Sequence, residues 1–420
     1  MEIIVSIIFF AALVAIVLDW LDRTKIALLG AALVVLVGAI SADQAITAID
    51  WATLGLLVGM MIVVGLTEPT GVFGWAGLHA VRLSQGRPTR LLFLLAGLTA
   101  LISAFLDNLT AILLVLPIAF TIARILKISV IPLLLTEILA SNIGGTATLI
   151  GDPPNIMIGG YKPELGFNDF IVNLAPPAIV ALVATILLLR VIFRHDLRYD
   201  PERAAAISAL DPGAELKGTR ARRIAVLAVL AGTILAFFAH APLGLAPAVV
   251  ALCGATAMLL VSDRDVEHGL DRVEWSTMFF FVGLFVMVGA LEQQGVIERI
   301  AEGVQGITGD SQITQMMVIL WGAALGSAVV DNIPFTAAML PVVDLIDGPG
   351  LNPLLWWSLA LGACFGGNAT LVAAAANVAA TGIAKREGVS ISFMRFLVVG
   401  VPVTLLSLVI ASGWLLFLAR

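Results

Sequence analysis

Two carboxylates stand inside long apolar stretches, each followed by an asparagine: Asp107 in Ser103-Ala104-Phe105-Leu106-Asp107-Asn108, and Asp331 in Ser327-Ala328-Val329-Val330-Asp331-Asn332. An ionised carboxylate in apolar surroundings costs a few kcal/mol or more, so it ordinarily serves a pathway, a partner or a proton relay. A desolvated carboxyl group favours its neutral form, which suits taking up and releasing a proton. Nearby lie neutral oxygen and amide groups that can hold a cation or a hydroxylated solute: Asn108 and Thr110 at the first acid, Asn332 and Thr336 at the second. Two Gly-rich stretches extend this set. The first holds Asn142, Gly144, Gly145, Thr146, Thr148 and Asn155; the second holds Gly366, Gly367, Asn368, Thr370 and Asn377. Asp152 and Glu137 add two further acids beside the first stretch, and Asp107, Asp331, Glu137 and Asp152 are the candidate proton carriers. No Lys or Arg occurs within 107–110, 142–146, 331–336 or 366–370.

Plainer roles exist for the same residues. Asp and Asn are favoured helix N-caps, so Asp107, Asp331 and Asp152 (before Pro153-Pro154) can simply start helices. Glu137 can be a satisfied core carboxylate. Cys364, two residues before Gly366, invites thiol–metalloid chemistry, but a lone buried Cys is ordinarily a small core residue.

The two acids belong to a duplicated plan. The Asp107 and Asp331 segments are 224 residues apart (327 − 103), and the same offset pairs Trp51 with Trp275, Thr53 with Thr277, Gly59 with Gly283 and Pro117 with Pro341. Gly144-Gly145-Thr146-Ala147-Thr148-Leu149 matches Gly366-Gly367-Asn368-Ala369-Thr370-Leu371 at an offset of 222 (366 − 144), as Asn155 matches Asn377. Asp152 and Glu137 have no acidic counterpart; Ala374 and Leu359 stand in their places. Duplicated halves with polar, Gly-rich interruptions of hydrophobic segments point to the binding site of a secondary transporter.

The elements that carry these residues must be membrane helices. Sixty per cent of the chain is hydrophobic and 12% charged, with a mean hydropathy of +1.06, far outside the soluble range. The two cysteines and four histidines give no disulfide framework and no metal-ligand spacing. Apolar runs place spans near 2–18, 26–41, 53–67 and 169–193, a hairpin over 91–126 broken at Asp107-Asn108, and a broken helix over 132–158 interrupted at 142–146. The second half repeats this with 224–239, 247–262, 275–291, hairpin 313–346, broken helix 353–378 and 393–418. Amphipathic stretches fall at 71–85 and 295–309. The run from Ile3 lacks a basic leader and matches 224–238, so it reads as a span rather than a signal peptide.

The expected fold is an all-α polytopic membrane protein: repeats 1–193 and 224–420 joined by a charged linker, 194–223, with about ten crossings, two re-entrant hairpins and two broken helices. Five crossings per half make the repeats inverted. With both termini outside, 20 of the 23 Lys and Arg fall on the cytoplasmic side, all but Lys162, Arg299 and Arg420 (23 − 3), as the positive-inside rule requires.

The run Asp107-Asn108-Leu109-Thr110-Ala111, with Ser141-Asn142-Ile143-Gly144-Gly145-Thr146-Ala147-Thr148-Leu149-Ile150-Gly151-Asp152-Pro153-Pro154-Asn155, resembles the ion transporter superfamily. More narrowly it resembles the arsenite-permease branch, with the melanosomal P protein and the plant silicon-efflux carriers. The resemblance covers nearly the whole chain. It implies broken helices meeting at the midplane, elevator-type movement of that core against a scaffold, and a location in the cell's inner membrane. In sodium-coupled carboxylate relatives a Ser-Asn-Thr motif at each hairpin tip helps bind sodium. Here Asp107-Asn108-Thr110 and Asp331-Asn332-Thr336 stand there, a departure that favours proton coupling.

The function expected is proton-coupled efflux of arsenite, antimonite or a similar neutral hydroxide such as silicic acid, without catalysis. A sodium/proton antiporter and a sodium-coupled carboxylate or sulfate transporter are the alternatives. No organic cofactor or resident metal is expected; the coupling ion is H+, with Na+ as the alternative. Expected partners are a small inorganic solute and the bilayer, not nucleic acid, and the resemblance allows a homodimer and the soluble ATPase of arsenite pumps.

Overall fold

The computed structural model describes residues 1–18, 20–197, 199–262 and 265–420, and among them the secondary structure is helical throughout. Arg198 and Arg264, both counted on the cytoplasmic side, lie outside the described residues. Eight described helices are long and apolar enough to cross a bilayer, three of them hairpin arms. The other apolar helices, Glu2–Val17, Ile131–Gly145, Pro247–Val261 and Pro353–Gly366, are shorter.

Local sequence sets the helix starts. Pro88, Pro153, Pro247 and Pro353 open helices at a position whose N–H has no helical partner anyway. Asp22 and Asp50 accept bonds from the first-turn amides of Arg23–Leu36 and Trp51–Thr67, and Ser392 caps Phe393–Leu418. The linker folds partly, with Pro201–Ser208 helical and a short 3₁₀ turn at Pro212–Glu215.

The first hairpin consists of Pro88–Phe105 and Asn108–Leu126; the second of Gln312–Val330 and Asn332–Asp347. The broken helices differ from expectation. The first runs Ile131–Gly145, breaks over 146–152 and resumes as Pro153–Tyr161; the second runs Pro353–Gly366, breaks over 367–374 and resumes as Ala375–Arg386. The breaks therefore lie later than the expected 142–146 and 366–370. Asn142, Gly144, Gly145 and Gly366 are helical, because their glycines serve close packing rather than chain reversal. A Cβ on Gly144 would overlap the Ala100 backbone, and one on Gly366 would lie 2.5 Å from Ala324 O. Ala100 and Ala324 are themselves a repeat pair (324 − 100 = 224). No side chain fits either contact without moving a helix.

The helices form two bodies. In one, Trp51–Thr67 packs on Pro247–Val261 and Arg23–Leu36 on Trp275–Gln293. Here too glycines set the approach: a Cβ on Gly59 or Gly283 would lie 2.6 Å from the carbonyl carbon of Ala251 or Ala27. We call this body the scaffold. The other, the core, joins both hairpins, both broken helices, Phe167–Ile192 and Phe393–Leu418. Its two ends are clasped by ion pairs of opposite polarity. Lys162, past the first broken helix, pairs with Asp344 on the second hairpin, and Arg124 on the first hairpin meets Glu387, past the second broken helix, at 2.5 Å.

Candidate functional site

At the first hairpin tip, Asp107 is extended (φ −65°, ψ 155°) and its carboxylate accepts from Thr110 N at 2.8 Å and Thr110 Oγ1 at 2.5 Å. It is an N-cap, as its residue type allows. At the second tip Asp331 sits at φ +109°, a conformation costly for a residue with a Cβ, while accepting from Ile333 N at 3.0 Å. Strain of this kind persists only where surrounding contacts impose it. Here Asn332 N donates to Ala373 O at 3.2 Å, holding the tip against the second break.

The tips converge on one acid. Asp152 Oδ1 accepts from Asn332 Nδ2 at 3.1 Å and from Asn108 Nδ2 at 3.4 Å, whereas Oδ2, also buried, has no hydrogen-bond partner. Asp152 caps nothing with its side chain. It is fully buried and is shared by the two halves. Asn142 forms a second junction. Its Nδ2 donates to Asn368 Oδ1 and Asn377 Oδ1, both at 2.9 Å, and its Oδ1 accepts from Asn108 Nδ2 at 3.2 Å. Five asparagines and one aspartate, all at most 6% exposed, thus make one network. Buried amides pair both donors and acceptors without importing charge, so the network can be rebuilt around a solute rather than only broken by it.

The remaining candidates hold the breaks in shape. Asn155 Nδ2 donates to Thr146 O (3.1 Å) and Thr148 O (2.8 Å), and its repeat partner Asn377 donates to Gly367 O (2.8 Å) and Thr370 O (2.9 Å). These bonds satisfy carbonyls that a broken helix leaves open. Thr148 Oγ1 donates to Ala104 O and Thr370 Oγ1 to Ala328 O, tying each break to its hairpin. Thr146 and Thr336 donate to carbonyls one turn back, at Asn142 and Asn332. Gly145 approaches Gly151, and Gly367 lies by Cys364 O. Cys364 is buried, with Sγ 3.6 Å from Asn155 Oδ1. Glu137 is also buried, one helical stretch away from the network, and neither carboxylate oxygen has a hydrogen-bond partner.

Three residues outside the broken stretches complete the site. Arg23 Nη1 lies 4.0 Å from Asp331 Oδ2, its Nη2 donates to Thr277 Oγ1 at 3.4 Å, and its guanidinium lies 5.3 Å from the centre of the Phe280 ring. Thr277 Oγ1 in turn donates to Glu274 Oε2 at 3.0 Å. Arg23 and Glu274 sit at the starts of scaffold helices and reach the tips only through folding. Of the three, only Thr277 stands out in the sequence, as the repeat partner of Thr53. Arg23 separates two spaces. On one side, Asp107, Asn108, Asn332, Glu274 and Thr277 border about 30 Å³ of free volume, room for a water or two. On the other, a cleft of about 440 Å³ runs past Asp22, Asp331 and Val378. Among the described residues no group of three or more His, Cys, Asp or Glu is arranged to hold a metal ion.

Comparison with known proteins identifies the family. The profile of the citrate transporter family matches residues 13–362. An uncharacterised transporter of Mycobacterium tuberculosis is 40% identical over 99% of this chain and 98% of its own length. The P protein of Sus scrofa is 30% identical over 98% of this chain, which spans 59% of that relative, and the Mus musculus P protein is 32% identical over 96% and 58%. The crystal structure of the Alcanivorax borkumensis YdaH transporter shares the fold, with a TM-score of 0.61 over 90% of each chain at 16% identity. The chain belongs to the citrate transporter family and is a multi-pass membrane transporter.

Proposed function

We propose that this transporter is driven by protons and exports a small neutral hydroxylated solute, with arsenite or antimonite first and silicic acid next. The observation that carries the reading is the make-up of the buried network: five amides and one carboxylate with a free oxygen, and no cation. Amide and hydroxyl groups suffice for a trihydroxide that is uncharged near neutral pH. A carboxylate with one unpartnered oxygen can carry the coupling proton. A second reading, transport of a carboxylate such as citrate, draws support from the family's description and from Arg23, which stands by the tips and could face an anion. Against it, a polyanion entering among Asp107, Asp152, Asp331 and Glu274 meets four carboxylates and one guanidinium, a repulsive balance in a medium that screens poorly.

Purified protein in liposomes tests the choice. An acid exterior alone, without sodium, is expected to move arsenite out of the vesicles as protons enter. Citrate movement without arsenite movement, or a strict need for sodium, would overturn the proton–metalloid reading.

Orientation follows from the charge split. In the cell's inner membrane with both termini outside, the Arg194–Arg223 linker faces the cytoplasm, as does the cleft at Arg23. A cysteine at Ala214 should then resist an impermeant thiol reagent added to intact cells, and one at Glu164 should react. Labelling of Ala214→Cys but not Glu164→Cys would reverse the orientation.

A further inference from the structure

Two repeat-related corners of the scaffold share their packing and differ in their chemistry. A Cβ on Gly65 would lie 2.5 Å from Cβ of Arg272, and one on Gly289 would lie 2.6 Å from Cβ of Ala48. These residues correspond (289 − 65 = 224; 272 − 48 = 224). The same close approach is made with a methyl group at one corner and an arginine at the other, so packing alone does not demand the guanidinium. His268 corresponds likewise to Gln44, and Pro69 to Gln293 (268 − 44 = 224; 293 − 69 = 224). At the neutral corner Gln44 Nε2 donates to Gln293 Oε1 at 3.1 Å. At the charged corner the linker arrives, and a cavity of about 300 Å³ opens, large enough for a small ligand.

Three stretches of chain put cations around that cavity. Lys217 comes from the linker, Arg222 and Arg223 from the first turn of Arg220–Ala239, and His268 and Arg272 from the segment before Trp275–Gln293. Buried Leu66 and Val226 close it from below. The linker is fastened there: Lys217 N donates to Thr70 O at 3.0 Å, and Arg223 Nη1 donates to Gly218 O at 2.8 Å and Lys217 O at 3.4 Å. Among the described residues no Asp or Glu lines the cavity. Arg272 pairs with Glu68 at 2.8 Å, whereas Lys217 and Arg223 have no carboxylate partner among the described residues. The first turn of Arg220–Ala239 also holds no acid, and the helix dipole disfavours the cations placed there. Cations gathered in this way repel one another until an anion joins them.

We propose that this cavity is a binding site for a phosphate group, separate from the buried asparagine network, with which it shares no residue. Arg223 engages only Nη1 with the protein, so Nε and Nη2 present one edge of the guanidinium fork to two phosphate oxygens. Lys217 adds a point charge from the linker, and Arg272 a second guanidinium from the opposite wall. Donors from three directions suit a group with several charged oxygens better than a carboxylate, which fills a single fork. The cavity lies at the ends of spans, on the side that the charge split assigns to the cytoplasm. Free phosphate and the headgroup of an anionic phospholipid present the same oxygens there, and either would tie the linker to the scaffold.

The test is melting of the delipidated full-length protein in neutral detergent. Inorganic phosphate is added at constant ionic strength; separately, phosphatidylglycerol is compared with phosphatidylcholine in mixed micelles. A saturable rise in melting temperature is expected with at least one probe. Its half-saturating concentration should be about tenfold higher or more in the Lys217→Gln/Arg223→Gln double variant, as loss of charge-assisted hydrogen bonds implies. A response to phosphate assigns a free anion, and a response to phosphatidylglycerol alone assigns a headgroup. No response, or equal responses of wild type and variant, would overturn the proposal. Should the double variant fail to fold, acylation of Lys217 in the wild type, read by peptide mass, takes its place. Phosphate or phosphatidylglycerol is expected to slow it, and a rate unchanged by both would equally overturn the site.

Discussion

Asp152→Asn is expected to abolish proton-driven flux while leaving a folded, monodisperse protein. The carboxamide oxygen can still accept from Asn108 and Asn332, so both hairpin tips keep their anchor, and the amide group fills the position of the unpartnered Oδ2. What disappears is the capacity to lose and regain a proton. Asp152→Ala removes the anchor as well. It leaves two buried amides short of a partner, at about 1–3 kcal/mol each before relaxation, and the longer Asn108 bond places its share at the low end. The pair of variants separates two roles: equal melting temperatures for wild type and Asp152→Asn, with flux lost only in the latter, assign Asp152 to coupling. Normal pH-driven flux in Asp152→Asn would remove Asp152 from the proton path.

Asn142→Ala is expected to lower stability and flux together. Three partners lose a bond at once: Asn368, Asn377 and Asn108, from both repeats. Hydrogen bonds between membrane helices average about 0.6 kcal/mol and seldom exceed about 2, so the three together contribute about 2 kcal/mol. Asn142→Asp should cost more, because it turns two donors into acceptors facing Asn368 Oδ1 and Asn377 Oδ1. Melting in detergent, followed for both variants, checks the order wild type, Ala, Asp. A melting temperature unchanged in Asn142→Ala would mean that waters or neighbours replace these bonds readily.

Much of this was readable from residue types. Apolar length located the helices, and the 224 and 222 offsets located both hairpins, since a repeat doubles every weak local signal. The breaks lie later than residue types suggest because glycine has several uses. Gly144 and Gly366 stand in the Gly-rich stretches expected to interrupt the helices and to admit a ligand, yet each lets a helix approach an alanine backbone, a use that depends on a neighbour 44 or 42 residues away (144 − 100; 366 − 324). Threonines such as Thr148 and Thr370 carry ligand-type hydroxyls, and only the fold shows them bonded to carbonyls. Arg23 was hidden for the opposite reason. It lies between two spans, where a positive charge needs no further explanation, and its approach to Asp331 joins residues 308 apart (331 − 23).

The clasps at the two ends of the core bear on how such a protein arose. Lys162 meets Asp344 at one end and Arg124 meets Glu387 at the other, so each half brings cations to both clasps or anions to both. The first half supplies Arg124 and Lys162; the second supplies Asp344 and Glu387. At the repeat offsets the counterpart of Asp344 is Phe120, of Arg124 Gly348, of Lys162 Ala384 and of Glu387 Leu165, so two copies of either half, assembled about the same axis, would form neither ion pair. Each clasp needs one residue from each half, a complementarity that neither half offers to its own duplicate.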